Sequence, residues 1–317
     1  VTGSPVAGLP PASSPLPSSS RRVLVSGLLM AGAGAIMASG KAVIVKLAYR
    51  HGVDATALLA LRMLVAFPFF LAMGIWAARR ASPLARGDLW RVAVLGFTGY
   101  YLSSYLDFLG LKYITATLER LILYLSPTLV VLIALVVLKQ RPTRRQVAAL
   151  AVSYLGVLLA FGHDIRLDGA RTLLGSALVF ASALSYAVYL FGSGQAVARI
   201  GAVRLTAYAS TVACVLCIGQ YLLFQPVAAL WTYAPPVYGL SLLNGTVCTV
   251  LPVLAIMVGV KRIGSSLAAQ VSMLGPVSTI VLSVWLLDEP MGPWQSAGTL
   301  LVLGGVLLVG SGVAKKQ

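Results

Sequence analysis

GLKYITATL, residues 110–118, returns as GVKRIGSSL at residues 259–267. The likeness runs well past these segments. Residues 96–159 align with 245–308 at a constant offset of 149 without a gap, and fifteen of the 64 positions are identical. In so apolar a chain, coincidences among Leu and Val are expected. Coincidences at Gly96/Gly245, Gly110/Gly259, Lys112/Lys261, Pro127/Pro276, Gln146/Gln295 and Gly156/Gly305 are not. The first helices match more weakly, Gly27 against Gly175. The chain is therefore read as two copies of one unit.

Each copy holds five apolar stretches. They predict helices near 23–47, 55–78, 89–110, 114–138 and 144–162, then 172–197, 204–225, 235–259, 263–287 and 293–313. About 20 apolar residues span a bilayer as a helix. Only 10% of the residues are charged, 59% are apolar and the mean hydropathy is +0.91; soluble domains carry about 25% charged residues. The expected fold is thus an all-α integral membrane protein with ten transmembrane helices arranged as two inverted five-helix repeats. An odd number of spans per copy turns the second copy over, a plan common among secondary transporters. The expected organisation is a disordered cytoplasmic tail over 1–22, repeats over 23–162 and 172–313, and a short tail over 314–317. The tail 1–22 is rich in Pro, Ser, Gly and Ala and lacks the means to pack a core.

Topology accounts for the net charge of +16. With the N-terminus inside, sixteen Lys and Arg fall in cytoplasmic segments, among them Arg79, Arg86, Arg144, Arg199 and Lys261. Four fall outside: Arg50, Lys112, Arg166 and Arg171. This is a strong positive-inside bias. It predicts a multi-pass protein of a bacterial-type inner membrane with both termini cytoplasmic, and it removes the need for a nucleic-acid partner. Cys214 and Cys217 form a C-x-x-C spacing within an apolar run, where two small apolar side chains are the simpler reading. The histidines, His51 and His163, lie in outer loops, and neither a zincin nor a phosphate-loop motif is present. No enzyme activity, metal or cofactor is expected.

Pro127 and Pro276 occupy equivalent mid-span positions of helices 4 and 9. Proline removes a backbone hydrogen bond and kinks a helix. The pair is read as kinks, either shaping packing or serving two gates.

The segments LLALRMLVAFPFFLAM (58–73), GLKYITATLERLILYLSPTLVVLIALVVL (110–138) and SSLAAQVSMLGPVSTIVLSVWLLDEPMGPWQSAGTLLVLGGVLLV (265–309) resemble the drug/metabolite transporter superfamily, specifically EamA-type permeases. The resemblance covers nearly everything after residue 22. It implies a ten-helix bundle around a central cavity lined mainly by helices 1, 3, 4, 6, 8 and 9. It also implies movement of small organic metabolites, frequently export of amino acids. One departure concerns the turn after helix 4, which often carries a glutamate in that family; here it reads Lys139-Gln140-Arg141.

Charges inside spans are costly and usually functional. Lys41, Arg62, Asp107, Glu119 and Arg120 are the candidates for binding substrate or coupling to protons, all in the first repeat. Lys46 sits near the interface, where it can snorkel. Asp107 aligns with Ile256, and Glu119-Arg120 with Ala268-Ala269, so the fold does not demand charge there. The charges either pair across helices, Glu119 with Arg62 for example, or meet a substrate carboxylate or phosphate. Polar and aromatic faces add Tyr100, Tyr101 and Ser104 on helix 3, Tyr186 on helix 6, Asn244 on helix 8 and Gln270 on helix 9. Helical spacing puts Tyr100, Ser103, Ser104 and Asp107 on one face. The expected function is a secondary or facilitative exporter of small metabolites such as amino acids, with lipid around it, protons as a candidate coupling ion and oligomeric state left open. A phosphate- or nucleotide-sugar antiporter and a non-transporting sensor or scaffold are the alternatives.

Overall fold

The computed structural model describes residues 18–79, 83–137, 139, 143–164, 169–272, 274–289 and 291–313. Among them every regular element is helical. The first half comprises α1 (Ser18–Tyr49), α2 (Ala55–Ala78), α3 (Arg86–Gly96), α4 (Ser103–Gly110), α5 (Ala116–Leu123), α6 (Ser126–Val137) and α7 (Arg144–Asp164). The second comprises α8 (Gly169–Ile200), α9 (Ala202–Phe224), α10 (Pro235–Gly245), α11 (Leu251–Ser272), α12 (Leu274–Leu287) and α13 (Pro293–Val313). Among the described residues, six helical segments are long and apolar enough to cross a membrane: Arg22–Tyr49, Ala55–Ala78, Ala116–Val137, Gly169–Gly194, Ala202–Phe224 and Pro235–Gly264.

Two departures from the sequence reading bear on the site. The first helix begins at Ser18, so 18–22 belong to it; residues 1–17 and 314–317 lie outside the described part. The single helix expected over 114–138 is broken into α5 and α6, and Pro127 falls in the first turn of α6 rather than within a continuous helix. Proline is tolerated there because N–H groups of a first turn lack intrahelical partners. The carbonyl of Leu123, which residue 127 cannot reach, accepts Ser126 Oγ at 2.6 Å. The backbone of Pro276 lies in α12, but its side chain is outside the described part.

The irregular backbone repeats at the sequence offset. A π-helical turn over Phe97–Leu102 joins α3 to α4, and another over Thr246–Val250 joins α10 to α11. Gly52 and Gly201 both adopt positive φ, 73° and 83°. So do Lys139 and Asp288, at 51° and 56°, although neither is glycine. The chain straightens at Thr115 (ψ 153°) before α5, and at its counterpart Gly264 (φ 80°, ψ 161°) within α11.

Packing repeats too. α1 lies along α11 and α12, as α8 lies along α4 and α6, while α2 packs on α9 and α7 on α13. Exchanging the halves leaves this pattern unchanged. Glycine makes the crossings close. A Cβ on Gly110 of α4 would stand 2.5 Å from Val179 Cγ2 of α8. A Cβ on its counterpart Gly259 of α11 would stand 2.9 Å from the Cβ of Ala31 on α1. Small residues let membrane helices approach closely enough for dispersion to hold them. The largest buried cluster joins α1, α2, α9 and α10 through residues such as Val45, Leu58, Phe70, Cys217 and Val237.

Candidate functional site

Four of the predicted charges meet at the junction of α1, α4 and α5. Lys41 Nζ lies 2.5 Å from Asp107 Oδ2 and 3.9 Å from Glu119 Oε1. Arg120 Nε lies 3.8 Å from Glu119 Oε2, and Arg120 Nη2 reaches the Ser39 carbonyl at 3.5 Å. Asp107 and Glu119 are buried, while Lys41 and Arg120 are part-buried. Both Glu119 oxygens and Asp107 Oδ1 lack a hydrogen-bond partner. The groups are thus close enough to cancel in charge, yet incompletely bonded. A buried ion pair gains from attraction only when its remaining lone pairs are also satisfied.

Ser39 supports this junction. Its Oγ donates to Ala35 O and Gly275 O, both at 2.7 Å, and its carbonyl accepts Thr279 Oγ1 at 3.2 Å. The junction is therefore tied to α12 of the second half.

Arg62 does not pair with Glu119. It is buried in α2, where its Nε donates to Thr249 Oγ1 at 2.9 Å and its guanidinium lies 5.3 Å from the centre of the Phe108 ring. Thr249, in the second π-helical turn, donates its hydroxyl to the Asn244 carbonyl at 2.8 Å. Arg62 Nη1 and both side-chain amide atoms of the fully buried Asn244 have no hydrogen-bond partner. π-helical turns occur often at functional sites because they expose backbone and re-aim side chains.

The single polar face predicted for helix 3 is divided. Tyr100 OH lies 3.1 Å from Tyr189 OH on α8, and Ser103 Oγ lies 3.1 Å from Ser182 Oγ on the same helix, whereas Asp107 turns to Lys41 of α1. Tyr100 sits inside the first π-helical turn, whose wider pitch carries it out of 3.6-residue register. Tyr186 stacks on Tyr189 at 5.6 Å, and Tyr101 stacks on Tyr105 at 6.3 Å. Ser104, on α4, is half-buried. The side chain of Gln270 lies outside the described part.

A second polar group, above the first along α1, was not singled out by sequence reasoning. Glu289, just beyond α12, accepts from Ala116 N at 2.8 Å and from Thr117 N and Thr117 Oγ1 at 3.2 Å each. Lys46 Nζ lies 3.6 Å from Glu289 Oε1, so it does not simply snorkel. Arg50 Nη2 donates to Leu287 O at 3.0 Å. A cavity of about 360 Å³ opens beside these groups, lined by Tyr49, Arg50, Lys112 and Thr115 among others. At its rim Asp54 caps α2 and accepts Lys112 Nζ at 2.6 Å. Burial pushes the Asp54 carboxyl up, but hydrogen bonds from Lys112 and Thr56 outweigh that and hold it at about 2.

The sequence model of the EamA-like transporter family matches this chain twice, over residues 25–162 and 173–311. The chain belongs to this family. It is 32% identical over 302 residues to the uncharacterized transporter YcbK of Bacillus subtilis strain 168, covering 93% of this chain and 95% of that one. It is 28% identical over 243 residues to a probable terminal-alkyne amino-acid exporter of Streptantibioticus cattleyicolor, covering 75% and 78%. A solved crystal structure superposes with a TM-score of 0.61 over 90% of this chain and 98% of its own, at 20% identity, a likeness of fold alone. This EamA-like protein is thus a multi-pass membrane transporter and not an enzyme.

Proposed function

We propose that this EamA-like transporter exports amino acids or closely related zwitterions by alternating access. The observation that carries the reading is the junction of Lys41, Asp107, Glu119 and Arg120. It offers two cations and two carboxylates within a few ångströms, with three carboxylate oxygens free of hydrogen bonds. A zwitterion complements such a site: its carboxylate can take Arg120 or Lys41, and its ammonium can take Glu119 or Asp107. A substrate that pairs both signs supplies partners to the carboxylate oxygens that the surrounding side chains leave unbonded, and Glu119 or Asp107 can exchange a proton as it does so. The likeness to an amino-acid exporter points the same way.

Alternating access follows from the duplicated plan. Ten spans in two inverted repeats are the reading best supported by the doubled π-helical turns, the doubled left-handed residues and the exchangeable packing of the halves. A fold that can adopt one asymmetric state can adopt its mirror by exchanging the roles of the halves. The charge bias of the loops supports cytoplasmic termini in a bacterial-type inner membrane.

Counterflow in proteoliposomes tests the function. Vesicles preloaded with a mixture of unlabelled amino acids should accumulate a labelled one transiently and saturably. No counterflow with any amino acid, from protein that remains folded, would refute the substrate class; accumulation of sugar phosphates instead would support the antiporter alternative.

A further inference from the structure

Glu289 is held by a set of contacts that joins the two halves of the chain at one end of the bundle. Its carboxylate takes two backbone N–H groups and one hydroxyl at the start of α5, and it faces Lys46 of α1. Arg50 of α1 secures the adjoining Leu287 carbonyl. Charge-assisted bonds to backbone N–H groups are roughly twice as strong as neutral ones. The helix start adds favourable partial charge.

The position of these contacts gives them a second meaning. Lys46 is five residues from Lys41 along α1, and Thr117 is two residues from Glu119 along α5. Glu289 and Lys46 also line the outer cavity of about 360 Å³. The Glu289 contacts therefore lie between that cavity and the charged junction.

We propose that Glu289 is a releasable latch on one gate. It closes the cavity side over the charged junction. The proposal rests on alternating access, but not on the identity of the substrate.

Cys248 supplies a reporter inside the molecule. It is buried beside the junction, where a Cβ on Gly40 would stand 3.2 Å from its sulfur. With Cys214 and Cys217 replaced by Ala, Cys248 is labelled with a membrane-impermeant cationic thiol reagent in right-side-out and inside-out vesicles. Glu289→Ala should raise labelling from the cavity side about tenfold, the scale on which losing charged hydrogen bonds moves an equilibrium. Glu289→Gln, which keeps shape and one acceptor, should give an intermediate rise. Folding is checked by monodisperse elution in detergent. Unchanged cavity-side labelling in both Glu289 variants, or an equal rise from both sides, overturns the latch. Separately, if wild-type labelling from either side never responds to any transported solute, alternating access itself fails; a solute response that persists with inert Glu289 variants condemns only the latch.

Discussion

Replacing Lys41 by Met should destabilise the fold by about 3–5 kcal/mol, the cost typical of removing one partner from a buried ion pair. The geometry explains the size. At an effective dielectric near 20, unit charges at the Lys41–Asp107 separation of 2.5 Å attract by about 7 kcal/mol, and at the Lys41–Glu119 separation of 3.9 Å by about 4. Desolvation offsets much of this attraction when the pair forms. Once Lys41 is gone, the desolvation remains and the attraction does not. Arg120 still faces Glu119 at 3.8 Å, but Asp107 loses its 2.5 Å partner. The double variant Lys41→Met with Asp107→Asn should therefore recover part of the loss, with a coupling of about 1–3 kcal/mol. Unfolding can be followed in mixed micelles by titration with SDS. The readout is alkylation of Cys214, Cys217 and Cys248, which are buried in the folded protein and become reactive on opening. A Lys41→Met variant within about 0.5 kcal/mol of the parent, or losses that simply add in the double variant, would refute the pairing argument.

Glu119→Gln should leave a folded protein whose flux loses its pH dependence, measured in proteoliposomes across pH 5 to 8; an unaltered profile would exclude Glu119 from proton exchange. Asp54, held at about 2 in the folded state, contributes stability that is fully present above its ordinary value of 3.8 and is lost as pH falls toward 2. The effect should be small because the carboxylate is half exposed and screened, and Asp54→Asn should flatten the acid limb of a thermal-stability profile. Gly110→Ala should cost about 1–3 kcal/mol, because the new methyl would meet Val179 Cγ2 at 2.5 Å and the Gly175 carbonyl at 2.9 Å; an unchanged unfolding midpoint would mean that α4 and α8 pack less tightly than described.

The repeat was legible because glycine, lysine and proline stand out against an apolar background. The charged junction was legible for the same reason: Lys41, Asp107, Glu119 and Arg120 contrast with their surroundings. Which of them pair was not. The choice between Arg62 and Lys41 as the cation near Glu119 depends on how α1, α2 and α5 are rotated, and the register of Tyr100 against Asp107 depends on the π-helical turn at Phe97–Leu102. That turn has no signature in side-chain periodicity. The break before Pro127 was visible only as a kink, because the hydroxyl of Ser126 that completes the Leu123 carbonyl has no distinctive pattern. The role of Glu289 was not legible. Two of its partners are backbone N–H groups more than 170 residues away, and backbone donors carry no mark in a sequence.

The packing of α1 has a consequence for assembly. Its main neighbours, α11 and α12, belong to the other half, and α7 and α13 likewise find each other across the halves. Each half alone would present unmated helix faces to lipid. Cut between Asp164 and Gly169 and expressed as two separate polypeptides, the halves should therefore seek each other out in the bilayer and copurify, while either one made singly should be cleared by proteolysis.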